Sequence, residues 1–139
     1  MADRVEIERL LRELYAARVR GDLDGVCRAF SNDAALQIAG AGNVSPIGVK
    51  CVGIAQFRPL LGLMIKSFKL SEHTILSIIV DGEKAAAHWQ AKVHSRITGT
   101  MVQTELVDIV EVKGRHICSY TEFFVPRSLP SNAGIGTQL

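Results

Sequence analysis

The sequence predicts one α+β domain, a cone-shaped α+β barrel roll in which three N-terminal helices pack in a curved antiparallel sheet. Three observations carry this. The first half shows apolar residues at helical spacing. The second half holds four long runs rich in β-branched and apolar residues. The separators between those runs hold Asp81-Gly82, Thr98-Gly99 and Lys113-Gly114, each a hairpin signal. A chain of 139 residues is one domain by length, and 47% hydrophobic residues can build one core.

Residues 3–20 read as the first helix. Asp3 caps it with Glu6 three residues on, and Ile7, Leu10, Leu11 and Leu14 form one apolar stripe. Gly21 ends it. Asp22 caps a short second helix that turns Leu23, Val26, Cys27 and Phe30 inward, and Ser31, Asn32 and Asp33 mark its end. Residues 34–39 read as a short strand. From Gly40 to Gly53 the glycines, Pro46 and Asn43 predict a long loop of lid or rim type. Residues 54–67 read as a third helix with Ile54, Phe57, Leu61 and Met64 on one face; it either starts near Pro59 or kinks there. Strands follow over 70–80, 85–97, 100–112 and 115–125, a meander whose curved sheet encloses a conical cavity. The domain is thus expected over 1–125, with 126–139 a patternless, mobile tail.

Charge and composition narrow the function. The net charge is +2, charged residues make up 22%, and Lys and Arg are scattered, so neither nucleic acid nor a membrane surface is an expected partner. No apolar run approaches the ~20 residues of a membrane span, and the N-terminus lacks the pattern of a signal peptide; a cytoplasmic location is the expectation. Three cysteines without CxxC spacing give no disulfide framework and no zinc site. His73, His88, His94 and His116 are not spaced as ligands, and P-loop, GxGxxG and GxSxG motifs are missing, so no metal or cofactor is expected.

Side chains alternate faces along a strand. Ala87, Trp89, Ala91, Val93 and Ile97 therefore share an inner face, with His88, Gln90, Lys92, His94 and Arg96 on the outer one. In the next strand Val102, Leu106, Val110 and Val112 share a parity, and Asp108 shares it too. A carboxyl on an apolar face must be paired, hydrogen-bonded or neutral. Two readings stay open: a structural pairing with a buried Arg or a backbone group, or a neutral acid able to donate a proton or hydrogen bond. The last strand also has two possible parities. Only the one with Cys118, Tyr120, Glu122 and Phe124 inward brings a second carboxyl and a phenol to Asp108.

Arg20-Gly21-Asp22-Leu23-Asp24-Gly25, then Phe30 and Asp33-Ala34, together with Thr98-Gly99, Asp108, Lys113-Gly114 and Ile117, resemble the ketosteroid isomerases. That family belongs to the nuclear-transport-factor-2-like superfamily, with SnoaL-like polyketide cyclases and limonene epoxide hydrolase. The resemblance covers residues 5–125 and is specific for the fold rather than the reaction. It implies that Trp89, Val93, Tyr120 and Phe124 line a pocket, which favours the inward parity of Tyr120 and Glu122. The family's aspartic base falls on Ile38 and its oxyanion tyrosine on Leu14, with Tyr15 about 100° round the helix. Its neutral aspartic acid matches Asp108. Steroid isomerisation is therefore not expected. What the resemblance implies is a pocket for a small apolar oxygenated molecule, with Asp108 and Glu122 as catalytic groups and Trp89, Val93, Tyr120, Phe124 and Tyr15 as substrate-binding ones, serving an acid-assisted isomerase, cyclase, dehydratase or hydrolase. The competing expectations are a non-catalytic ligand-binding or dimerisation module and an accessory subunit of a larger enzyme. A homodimer through the outer sheet face is implied by the same resemblance.

Overall fold

A computed structural model describes residues 3–40 and 48–127. The elements run α1 (Arg4–Arg20), α2 (Leu23–Arg28), β1 (Phe30–Gly40), β2 (Gly48–Val52), α3 (Ile54–Ser67), β3 (Phe68–Asp81), β4 (Lys84–Ser95), β5 (Met101–Lys113) and β6 (His116–Arg127). Asp3 accepts from the Glu6 amide while the Glu6 side chain accepts from the Asp3 amide, the reciprocal cap its spacing predicts. Gly21 closes α1 in the left-handed region at φ 74°, where any other residue is strained. Asp22 then caps α2 through the Gly25 amide.

All six strands form one sheet in the order β2-β1-β6-β5-β4-β3. The four-strand meander is antiparallel, as the hairpin signals require. Gly82 and Gly114, at φ 63° and 65°, each take the first of two turn residues, where a tight hairpin needs a positive φ. The sheet as a whole is mixed rather than antiparallel, because β1 lies parallel to β6. The direction of β1 is set by the chain's path through β2 and α3, which no local pattern encodes. Nor do three helices precede the sheet: α2 has six residues, and α3 follows two strands.

The inner sheet face and the helices meet in one core built on Ile7, Leu11 and Leu14 of α1, Phe57 and Leu61 of α3, and Ala87, Trp89, Val110 and Ile117 of the sheet. Further corrections concern ends and bends. The stretch expected as loop holds β2, while 41–47 lie outside the described residues. The third helix begins at Ile54 and carries Pro59 inside it on an exposed side, where water can reach the carbonyl the proline leaves unpaired. Ile97 does not share the inner face of Trp89; β4 stops at Ser95 and Ile97 is exposed in the turn. The last strand keeps the inward parity at Tyr120 and Glu122 but loses it at a bulge, which opposes Ile117 to Val112 and Ser119 to Glu111 and so turns Ile117 inward. β6 also runs on through Pro126 and Arg127, two residues into the stretch expected as tail; 128–139 lie outside the described residues. Among the described residues no helix is long and apolar enough to cross a membrane.

Candidate active site

The pleat of β5 turns Thr104, Leu106, Asp108, Val110 and Val112 inward together. Asp108 is paired directly with Ala87 on β4 and with Glu122 on β6. The register thus sets two carboxyls side by side on the inner face, both fully buried at 0% and 3% exposure. Ala87 is small, which leaves room for Trp89, two residues along, to lean over Asp108.

Three polar groups from three elements converge on one oxygen of Asp108. The Tyr15 hydroxyl donates to Oδ2 at 2.6 Å, Trp89 Nε1 at 2.8 Å, and the Tyr120 hydroxyl stands 2.6 Å from it. Tyr120 also lies 3.0 Å from Glu122 Oε2. A phenol has one proton, so Tyr120 cannot donate to both carboxyls at once. When Asp108 is protonated on Oδ2, it donates to Tyr120, which is then free to donate to Glu122. Arg18 completes the chain, donating from Nη1 to Glu122 Oε2 at 2.7 Å, with its guanidinium 5.2 Å from the centre of the Trp89 ring. Asp108 Oδ1 has no hydrogen-bond partner among the described residues.

The electrostatics separate the two acids. Burial, and then the charge of Glu122, push the Asp108 carboxyl well above its usual range. Burial would raise Glu122 as well, but the Arg18 guanidinium, aided by hydrogen bonds, holds it below its usual range. The two shifts have opposite directions, so a single charge shared by the pair is favoured on Glu122. Burial would lower Arg18, but the Glu122 carboxylate more than offsets it. Burial and the neighbouring carboxyls raise both tyrosines, so both phenols stay protonated.

A cavity of about 440 Å³ opens in front of this network. Its walls are apolar: Ile38 on β1, Met64 on α3, Val93 on β4, Leu106 on β5 and Phe124 on β6. The Arg18 and Glu122 side chains, 14% and 3% exposed, mark its closed end. Exposed Phe68 and Thr100 mark its mouth. Of the expected site residues, Glu122, Val93 and Phe124 line the cavity. Asp108, Trp89, Tyr15 and Tyr120 are not among its described lining residues; they stand behind it and hold one another.

Two members of the site are missing from the sequence-based set. Arg18 had a signal: Ile7, Leu11, Leu14 and Arg18 fall on one stripe of α1, and a cation on an apolar stripe must meet a buried anion. His73 had none. The register of β3 slips between Ser71 and Thr74, where Glu72 takes a φ of 50°, so simple alternation does not predict its facing. Its ring packs 5.5 Å from Tyr15 and 5.0 Å from Trp89, its Nε2 is buried with no partner among the described residues, and burial, with Arg18, lowers its pKa.

The model of the SnoaL-like domain matches residues 11–120. No curated protein matches the sequence. Solved structures share the fold at low identity. A candidate isomerase from Bacillus subtilis is 18% identical, with a TM-score of 0.79 and 90% of each chain covered. An LEH-like epoxide hydrolase from M. tuberculosis is 21% identical, with a TM-score of 0.68 and coverage of 87% of this chain and 84% of that one. A candidate polyketide cyclase from Xanthomonas campestris is 20% identical, with a TM-score of 0.69 and coverage of 88% and 92%.

Proposed function

The chain belongs to the SnoaL-like domain family, and on that premise we propose that it is a small-molecule enzyme: an acid–base isomerase, cyclase, dehydratase or hydrolase whose substrate is a small, largely apolar oxygenated molecule held in the cone of the sheet. One observation carries the reading. Glu122, paired with Arg18, faces a cavity whose walls are otherwise largely apolar, and a second carboxyl, that of Asp108, stands directly behind it.

The chemistry follows from that division. Glu122 acts as the base, taking a proton from a carbon next to a carbonyl or from a water molecule. Arg18 beside it stabilises negative charge that develops on a substrate oxygen. Asp108 does not reach the substrate in this scheme. Remaining neutral, it keeps the pair's one charge on Glu122 and, through Tyr120, holds the Glu122 oxygen in place. The sequence reading makes both carboxyls catalytic groups; in this scheme the strand-β6 carboxyl meets substrate and the strand-β5 carboxyl supports it. The isomerase, cyclase and epoxide-hydrolase descriptions of the structural neighbours are compatible with such a site.

One observation favours the competing reading of a binding module. Tyr15, Trp89 and Tyr120 all spend their protons on the network itself, as a purely structural cluster would. The test separates the two. Small ketones, enols, epoxides and hydroxyketides are screened by thermal shift, and the hits are then assayed for turnover. Glu122→Gln keeps the shape and removes the base. Turnover should fall by at least ~100-fold while the thermal shift persists. Unchanged turnover in Glu122→Gln ends the proposal, and hits that bind without any turnover move the protein to the binding module.

A further inference from the structure

Beside the cavity mouth lies a second hollow of about 530 Å³, between the C-terminal ends of α1 and α3 and the start of β3. It shares Arg18, Ile65, Phe68 and Leu70 with the cavity, so the two spaces meet along a common wall. Its charged lining has one sign. Arg18, Arg20, Lys66, Lys69 and Arg96 border it, and no Asp or Glu is among its described lining residues. The chain as a whole is nearly balanced, with 16 basic and 14 acidic residues, so this is a local excess.

Few of these charges are neutralised on the spot. Arg18 is committed to Glu122. Arg20 makes only a long, exposed contact of 3.4 Å with Asp22. Arg96 Nη1 donates to the carbonyls of Ile65 and Lys66, both at 3.2 Å. Among the described residues no carboxylate lies within 4.0 Å of Lys66 or Lys69. Favourable helix-end placement accounts for Arg18, Arg20 and Lys66, which sit in the last turns of α1 and α3. It does not call for Lys69, which comes from β3, and Arg96, which follows β4, to gather at the same spot.

We propose that this hollow binds the anionic group of an amphiphilic ligand, a carboxylate or a phosphate monoester, whose apolar body occupies the cavity. The inference rests on the cavity being a ligand site and narrows its substrate class. An apolar body alone would be served by the cavity walls. A ligand with an anionic tail gains the rim as well, and the rim fixes which end of the ligand enters the cavity. Four of the five cations are exposed, so the gain is salt-sensitive.

Octan-1-ol, nonanoate and octyl phosphate share one eight-carbon apolar chain and differ at the head. Their binding to wild type and to the Lys66→Gln/Lys69→Gln double variant is measured by isothermal titration calorimetry, at low salt and at about 0.5 M salt, where screening is much stronger than at 0.1 M. Both substitutions lie at exposed positions outside the buried network, and the melting midpoint confirms the fold of the variant. One or both anions should bind wild type on the order of tenfold more tightly than the alcohol. That preference should vanish in the double variant and shrink in high salt, while the alcohol's affinity changes under neither. The better of the two anions identifies the head group. If alcohol and anions bind alike, or if the preference survives both the substitutions and the salt, the anion site is overturned and the cavity reading stands. Anion binding that needs the two lysines while the alcohol fails to bind supports the anion site and sinks the cavity reading. Binding of none of the three overturns both.

Discussion

The closed end of the cavity and its mouth are built on opposite principles. At the closed end, Tyr15, Arg18, Trp89, Asp108, Tyr120 and Glu122 come from four elements and interlock through hydrogen bonds of 2.6–3.3 Å. At the mouth, Phe68 pairs with Ser95 and the Ser95 amide donates to the Thr100 carbonyl, but among the described residues no side-chain hydrogen bond links Phe68, Ser95, Thr100 and Val102 to one another. The first arrangement fixes side chains to a fraction of an ångström, because moving one leaves another buried and unpaired. The second tolerates change, because apolar walls require shape and little else. The contrast teaches where specificity for a reaction and specificity for a molecule can reside in one small domain. Under the proposed function, the interlock would hold the reacting group and the walls, which can drift, would read the ligand's outline.

The sharpest way to break the contrast is to remove the one cation of the interlock. Arg18→Met keeps much of the apolar stem and deletes the charge. Glu122 is then a buried carboxylate without a counter-ion, which costs about 3–5 kcal/mol. The melting midpoint should fall by roughly ten degrees or more. The double variant Arg18→Met/Glu122→Gln should recover much of that loss, since it leaves no isolated charge. A single variant as stable as wild type would mean that water reaches Glu122 freely and that the closed end is not closed.

A smaller effect, with a sign fixed by pH, tests which acid is neutral. Asp108 has its folded-state pKa raised by burial and by Glu122. A raised group stabilises the fold below its unfolded pKa, near 3.8, and loses that contribution as pH rises towards the folded value. Between those limits the unfolded chain has released the proton and the folded chain still holds it. Asp108→Asn has no proton to hold. Relative to wild type, the variant should therefore gain stability as pH rises from about 4 towards neutrality, whatever its offset at acid pH. Glu122, whose pKa is lowered, works with the opposite sign in both proteins and cancels in the comparison to the extent that its own shift survives the substitution. Thermal midpoints of the two proteins across that range measure the difference. A flat difference would mean that Asp108 ionises in the folded state much as it does in the unfolded chain.

The same contrast explains what was legible in the sequence. Regular periods carried the scaffold: the α1 stripe with its cap, and the β4 and β5 alternation that turned Trp89 and Asp108 inward. Register and bulges were out of reach. Nothing local shows that β1 lies parallel to β6, or that Asp108 and Glu122 are opposed residue to residue. His73 is placed by a slip in register, and Ile117 by a bulge, and each breaks the alternation that would have located it. Arg18 was legible in principle. A charge near a helix C-terminus, however, also has an ordinary explanation in the helix dipole. The carboxyls could be found singly from strand parity; the partition of their charge could not, because it depends on Arg18 and on two phenols brought from distant positions.

The smallest expected effect lies between the two regions. Thr104 is buried on the cavity wall, one inward step from Leu106 on β5, and its hydroxyl makes only a 3.5 Å contact with the Val102 carbonyl. Thr104→Val keeps the branched shape and removes the hydroxyl. With so little hydrogen bonding to lose, stability should change by no more than about 0.5 kcal/mol. If the wall reads the outline of the ligand and the interlock supplies the chemistry, the substitution should leave the pH dependence of stability unchanged. It should also shift affinity toward ligands with fewer oxygens along their length, by a fewfold at most. A large loss of stability, or a change in the pH dependence, would show that the hydroxyl is wired to Glu122 and that the division between interlock and wall has been drawn one residue too deep.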